Sequence, residues 1–163
     1  MRIREATLED REAIDRLVQA GARDVRKRIG SHPPPVKQTD LSARGCLALV
    51  AASNGRVVGS VSYRVRGGRL HLFNLVVDAK YRGSGIARAL VAGLEPLAAR
   101  AGAKQITLQT VAELGMEPLF HKLGYQAKSS GREFLFTSDR DRALTTVYMV
   151  KRLGKIPGRR FGK

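Results

Sequence analysis

The chain has 163 residues, of which 43% are hydrophobic, and this size and composition suit one domain with its own core. Its formal net charge of +16, from 30 Lys and Arg against 14 Asp and Glu, predicts an anionic ligand or an anionic partner surface. The single cysteine, Cys46, excludes a disulfide framework, and we interpret it as a buried structural residue. Because no leader-like segment and no run of about 18 apolar residues occurs, we expect a cytoplasmic protein without a membrane partner.

The N-terminal part of the chain is predicted to form a strand and a helix. Residues 2–7 alternate weakly, as an edge strand does. Thr7 and Asp10 then form a capping-box pattern, followed by apolar residues at helical spacing. Gly30 and the prolines after it end this helix, and residues 31–45 are predicted to be a long loop.

A three-stranded meander is predicted next. The strands are Cys46–Ala52, Arg56–Arg66 and Arg69–Val77, joined by the turns Asn54-Gly55 and Gly67-Gly68. Because the third strand ends in a nearly continuous apolar run, we expect it to lie at the centre of the sheet with both faces buried.

A strand–helix–strand unit follows the meander. An apolar stripe over 86–98 predicts a helix, in which Pro96 is expected to cause a kink or an early end. Residues 104–111 alternate as a strand, and the connection through a helix makes this strand parallel to the one before it. The remaining predicted elements are a short helix over 116–123 and strands over 125–136 and 144–152. The expected fold is a mixed α/β sheet with helices on its faces.

The glycine segment Tyr81–Ala87 lies between an apolar strand and an amphipathic helix. Glycines allow backbone N–H groups to converge on an anion, with the positive end of the helix dipole behind them. The segment lacks the Gly-Lys-Ser/Thr ending of a P-loop, and Arg88 stands where a dinucleotide fingerprint requires Gly or Ala. We therefore predict a pyrophosphate-binding loop, with a simple tight turn as the alternative.

Two motifs resemble the GNAT superfamily of N-acetyltransferases. The run Arg82–Ala87 fits the pattern Arg/Gln-x-x-Gly-x-Gly/Ala, and Leu119–Tyr125 looks like the family's late helix. The order of elements is also similar over roughly residues 2–152. The resemblance implies a mostly antiparallel sheet of about six or seven strands, with a central parallel pair splayed to hold coenzyme A. It implies a GNAT domain over 1–152, followed by a basic tail over 153–163.

The resemblance also implies how acetyl-coenzyme A is held. The pantetheine arm is expected between the strand ending at Val77 and the strand over 104–111, and the pyrophosphate on the glycine loop. No metal is implied. The expected cofactor-binding residues are Leu75, Val76, Val77, Arg82, Gly83, Ser84, Gly85, Ile86, Ala87 and Phe120.

The candidate catalytic residues depart from the family's pattern. The glutamate that often serves as the base is matched by Phe73 and Asn74, and the tyrosine that serves as the acid is matched by Phe120. The family's cofactor-binding asparagine aligns with Glu113, which is either a base or a solvated carboxylate at a helix start. His71 titrates near neutral pH and is either a base or a structural histidine. The candidates are therefore Asn74, Glu113 and His71.

These features predict an N-acetyltransferase that uses direct attack by a primary amine, without a covalent enzyme intermediate. The amine acceptor, of a small molecule or a protein, is not identified, and a homodimer is left open. The alternative is a non-catalytic acyl-coenzyme A-binding module or a basic RNA- or ribosome-associated module. The basic tail is the feature that favours contact with a nucleic acid.

Overall fold

The mixed sheet expected from the sequence is present in the computed structural model of the chain, which describes residues 1–32, 47–132, 137–138 and 144–154. Cys46, most of the predicted loop over 31–45 and the tail from residue 155 lie outside the described residues. The predictions made for them stay predictions. The strands are β1 (Arg2–Glu5), β2 (Ser31–His32), β3 (Leu47–Ser53), β4 (Arg56–Arg66), β5 (Arg69–Val77), β6 (Gln105–Val111), β7 (Gln126–Arg132), β8 (Thr137–Ser138) and β9 (Thr145–Arg152). The α-helices are α1 (Arg11–Ile29), α2 (Ile86–Arg100) and α3 (Glu117–Lys122).

Seven of these strands form one sheet in the order β1-β3-β4-β5-β6-β9-β7, and β2 pairs with β8 in a separate small sheet. Within the described strands, β5 and β6 are parallel and every other neighbouring pair is antiparallel. The predicted architecture is confirmed, and β5 lies in the middle of the sheet as expected. None of the described helices is both long and apolar enough to cross a lipid bilayer.

The start of α1 is fixed by the capping box that the sequence predicts. The Asp10 carboxylate accepts a hydrogen bond from the Thr7 backbone N–H at 2.8 Å and two from the Arg4 guanidinium at 2.7 and 2.9 Å. Asp10 is only 7% exposed, whereas the Arg4 side chain is 33% exposed, so this network is partly shielded from water. Gly30, with φ +61°, ends the helix in the left-handed conformation that glycine adopts without strain.

The sheet lies between α1 and α2. The larger core cluster packs the apolar stripe of α2 against one face of the sheet, and a smaller cluster packs Ile14 and Val18 of α1 against the other. Pro96 does not end α2, which continues to Arg100, because residues on both sides of the proline remain buried against the sheet. The expectation of an early end is wrong.

Two glycines allow the helices to approach the sheet closely. A Cβ atom on Gly21 of α1 would lie 2.8 Å from Val76 Cγ1, and one on Gly59 of β4 would lie 2.9 Å from Ile86 Cγ2. Real Cβ atoms do not approach other atoms this closely, because the interior is already close-packed. Both contacts position elements next to the glycine loop.

A β-bulge interrupts β5. Phe73 pairs with Ser62 and Val76 pairs with Ser60, so β5 has one residue more than β4 over this stretch. Asn74, at the bulge, has φ +50°, a conformation that asparagine tolerates better than most residues. The bulge shifts the alternation of side chains, so that Leu75 and Val77 pack on the α2 side and Val76 on the α1 side.

The end of β5 is less buried than the sequence predicts. Residues 73–77 are half-buried, although their apolar run indicates burial on both faces. The reason is that β6 pairs with β5 only as far as His71 and then leaves it. This separation of β6 from β5 beyond His71 is the main feature of the candidate site.

Candidate active site

The parallel pair of strands opens into a gap. The registered pairs are Arg69 with Gln105, Leu70 with Ile106 and His71 with Thr107, and no further pair between β5 and β6 occurs in the described residues. Beyond His71, the edge of β5 that faces β6 has no strand partner. Backbone N–H and C=O groups left open in this way can bind an extended ligand as a neighbouring strand would.

The gap leads to the glycine loop. Asp78 follows β5 and accepts a hydrogen bond from the Lys80 backbone N–H at 2.9 Å, which begins a short 3-10 turn over Ala79–Tyr81. Gly83 and Gly85 then adopt φ of +77° and +82°, and a Cβ atom on either would meet no atom within 4 Å in the described part of the chain. The turn and the loop therefore leave open space before α2.

The N-terminus of α2 faces this open space. Gly85 is the residue before the first turn of α2, and no side chain caps the helix within the described residues. The first N–H groups of a helix have no partner inside the helix, and the helix dipole gives this end a partial positive charge. The loop has the geometry of an anion site, and its residues fit a pyrophosphate group.

Arg82 connects the loop to its surroundings. Its Nε donates to the Val77 carbonyl at 3.2 Å, and its guanidinium forms an ion pair with Asp24 of α1. The Arg82 hydrogen bond holds the pKa of the Asp24 carboxyl below its usual value. Arg82 thus ties together β5, α1 and the loop, and it remains half exposed beside the anion site.

His71 lies where the gap begins. Its Nδ1 is 2.9 Å from the Thr107 hydroxyl oxygen, and its ring is stacked with Phe73 at 6.5 Å between centroids. Burial lowers the pKa of His71, and the positive charge of Arg64 lowers it further. The imidazole is therefore neutral at pH 7 and able to accept a proton.

The other two catalytic candidates are in different surroundings. Asn74 lies at the bulge of β5, three residues beyond His71 along the edge of the gap. The Glu113 carboxylate, just after β6, accepts from the Thr145 backbone N–H at 3.1 Å with both oxygens. Glu113 therefore fixes the start of β9. Its assignment as a base stays a prediction, as does that of Asn74.

Phe120 lies in the core. It is 4% exposed, and its ring packs edge-on against Tyr125 with 5.8 Å between centroids. A contact between Phe120 and the cofactor stays a prediction. No cluster of three or more His, Cys, Asp or Glu side chains suited to a metal ion occurs in the described part of the chain.

A basic groove beside His71 was not foreseen from the sequence. It has a volume of about 460 Å³, and its polar lining comes from four strands. The lining side chains are Arg64, Arg66, Arg69, His71, Thr107 and Tyr148. The available signal was the Gly67-Gly68 turn, because a tight hairpin at this turn brings the arginines on its two arms together.

Comparison with known proteins identifies the family. Residues 13–125 match the Acetyltransferase (GNAT) family. The chain is 34% identical over 125 residues to N-acetyltransferase 8 of Homo sapiens, covering 72% of this chain and 54% of that protein. The chain belongs to the GNAT family of acetyltransferases, as its motifs predict. It spans about half the length of the curated relative it matches.

Solved structures show the same fold. The ribosomal-protein-S18-alanine N-acetyltransferase from Escherichia coli superposes with a TM-score of 0.76 at 20% identity, over 99% of both chains. An aminoglycoside 6'-N-acetyltransferase complexed with coenzyme A superposes with a TM-score of 0.73 at 18% identity, over 97% of this chain and 100% of that chain. The predicted family and fold are confirmed, and one structure with this fold holds coenzyme A.

Proposed function

We propose that the protein is an N-acetyltransferase that transfers the acetyl group of acetyl-coenzyme A to a primary amine. The observation that carries the proposal is the continuity between the gap beyond His71 and the uncapped N-terminus of α2. A strand gap for an extended arm and an anion site for a pyrophosphate are the two features that this co-substrate requires. The strand gap lies along the last residues of β5, and the anion site lies at the N-terminus of α2, the next α-helix in the chain.

The backbone is expected to do most of the binding. Leu75 of β5 offers open backbone groups to the pantetheine arm, whereas the Val77 carbonyl already accepts from Arg82. The N–H groups of the loop and of the first turn of α2 hold the pyrophosphate. With the co-substrate held in this way, we expect the thioester to lie beside the bulge, near Asn74 and a few residues from His71.

The chemistry needs little more than orientation and a proton acceptor. Acetyl-coenzyme A supplies an activated acyl group on a thiolate leaving group. The acceptor nitrogen forms the amide bond, the carbon–sulfur bond breaks with its electrons on sulfur, and the amine proton goes to a base. His71 is neutral at pH 7 and lies at the opening of the gap, so it is the candidate for that base, acting directly or through water, and the Asn74 amide orients the acceptor or the water.

The test is acetyl transfer by the purified protein. Release of the coenzyme A thiol, followed with a thiol reagent, is expected to depend on an added primary amine. Mass spectrometry should find the acetyl group on that amine and no acetylated protein intermediate. Tight binding of acetyl-coenzyme A without release in the presence of any amine in a broad panel would instead support the non-catalytic binding module.

The role of Asn74 can be separated from its backbone conformation. Asn74→Gly retains the positive φ without strain, so its free energy of unfolding should stay within about 1 kcal/mol of the native value. If the side-chain amide orients the reacting groups, kcat should fall by about tenfold. Steady-state kinetics and urea unfolding measure the two quantities on the same preparation.

Asn74→Ala is the matched control for backbone strain. Alanine must adopt φ +50° at the bulge, which costs about 1 kcal/mol. Equal kcat values for Asn74→Gly and the native protein would show that the amide has no part in the reaction.

A further inference from the structure

The basic groove is built by the register of the sheet. Arg66 lies directly opposite Arg69, and Arg64 lies directly opposite His71, in the antiparallel pairing of β4 and β5. Residues in direct cross-strand register project from the same face of a sheet. His71 is in turn paired with Thr107 of β6, so the same face continues across the gap.

In the described part of the chain, the arginines of the groove have no acidic partner. Within the described residues, no carboxylate contacts Arg64, Arg66 or Arg69, and all of them are exposed. Five other cations in the described residues do form ion pairs, among them Arg4 with Asp10, Arg82 with Asp24, and Lys151 with Glu95. Like charges directly opposite each other destabilise a sheet. An anion bound between Arg66 and Arg69 would relieve this repulsion.

The groove reaches the place where the reaction is expected. His71 and Thr107 line the groove and are also the last registered pair before the gap. Arg64 extends over the Phe73 ring, with Cζ 5.9 Å from its centroid, and Phe73 is next to the bulge at Asn74. A ligand in the groove can therefore place one end on the arginines and the other at the opening of the gap.

We propose that the acceptor is a small amine that carries an anionic group, a carboxylate or a phosphate, and that Arg64, Arg66 and Arg69 bind this group. The inference rests on the proposed acetyltransferase function. A volume of about 460 Å³ suits a small molecule. The same guanidinium groups favour the neutral form of a nearby amine, which is the nucleophilic form, and they repel a polycationic acceptor.

The experiment compares amines with and without an anionic group, and each kcat/KM is expressed per concentration of the unprotonated amine because the anionic group also changes the amine pKa. The pairs are glucosamine 6-phosphate with glucosamine, and phenylalanine with phenylalaninamide, which separate a phosphate from a carboxylate. We expect kcat/KM to be about 10- to 100-fold higher for the anionic member of at least one pair, as a charge-assisted contact provides. Equal values within both pairs, a preference for the neutral members, or transfer to peptide amines alone would overturn the inference and leave the acetyltransferase function standing.

The arginine variants test the assignment to the groove. Arg64→Gln and Arg69→Gln should lower the ratio of kcat/KM for the preferred anionic acceptor to kcat/KM for its neutral partner about tenfold or more, and any effect of Arg64 on His71 cancels in this ratio. Arg66→Gln should raise KM without lowering the melting temperature, because it removes the repulsion with Arg69. Arg56→Gln, an exposed arginine at the opposite end of β4, is the control for net charge and should leave all values unchanged.

The affinity for acetyl-coenzyme A distinguishes a failure of the acetyltransferase proposal from a failure of the proposal about the anionic acceptor. Calorimetry should find the same affinity for native protein and the groove variants, because the loop before α2 is untouched. No transfer to any member of the panel would overturn the acetyltransferase function and this inference with it. If the groove variants raise KM equally for the anionic and the neutral member of a pair, the arginines have a role other than binding the anionic group.

Discussion

Gly85→Glu is expected to weaken binding of acetyl-coenzyme A by at least about 100-fold, because it places a carboxylate at the proposed pyrophosphate site. Gly85 immediately precedes α2, and a Cβ atom there meets no described atom within 4 Å, so the side chain projects into the open anion site. The new charge repels phosphate and interacts with the helix N–H groups in its place. The left-handed φ of +82° adds about 1 kcal/mol of strain, which is small beside the stability of a domain.

Gly55→Glu is the matched control for this substitution. Gly55 has φ +72° and equally open surroundings, but it lies in the β3–β4 hairpin turn. Both variants carry the same added charge and a similar strain. Calorimetric titration should therefore find near-native affinity for Gly55→Glu and no measurable binding for Gly85→Glu. Equal affinities for the two variants would exclude the glycine loop as the pyrophosphate site.

The sequence predicts the elements well where turn residues mark their ends. The structure gives β4 and β5 the predicted bounds, Arg56–Arg66 and Arg69–Val77, because Asn54-Gly55 and Gly67-Gly68 allow little freedom in where the hairpins turn. Gly30 marks the end of α1 in the same way. The conformation of the glycine loop could also be predicted, since glycine and the following helix determine it locally, whereas its binding of pyrophosphate stays a prediction.

The parts of the site that depend on register could not be predicted. Strict alternation places Val76 on the same face as Leu70 and Leu72, but the extra residue at Asn74 moves it to the α1 side. No sequence pattern indicated this bulge. The gap between β5 and β6 is likewise a tertiary feature, because each strand by itself has an ordinary apolar sequence. The Gly67-Gly68 turn indicates that the arginines of β4 and β5 are neighbours, but the addition of Thr107 and Tyr148 to the groove depends on the pairing of β6 and β9.

Helix α1 supports the cofactor site from the opposite face of the sheet. Gly21 lets the helix lie directly on Val76 of β5, and Asp24 holds Arg82 of the glycine loop. The position of α1 along the sheet is set at its first turn, where Arg4 of β1 and Thr7 bind the Asp10 carboxylate. The stability of that turn therefore contributes to the geometry of the loop.

Asp10→Asn is expected to lower the free energy of unfolding at pH 7 by about 3 kcal/mol, because it removes the charge from a partly shielded ion pair and leaves Arg4 unpaired. The Arg4 hydrogen bonds, with that of Thr7, lower the pKa of Asp10 from 3.8 to about 2, against the opposing effect of burial. A lowered pKa in the folded state contributes stability above the unfolded value and loses it as the pH falls towards the folded value. The difference between native protein and variant should therefore narrow between about pH 5 and pH 2.

Urea unfolding at a series of pH values measures this difference directly. Glu12→Gln is the control, because it breaks the exposed Arg16–Glu12 pair at 3.6 Å at the start of α1, and such pairs contribute less than about 1 kcal/mol. If the difference in free energy of unfolding between native protein and Asp10→Asn stays constant from pH 7 to pH 2, the variant acts through packing and not through the charge. If the charge is the cause, Asp10→Asn should also bind acetyl-coenzyme A more weakly, whereas Glu12→Gln should bind it with native affinity. This result would indicate that the first turn of α1 positions Asp24 for Arg82.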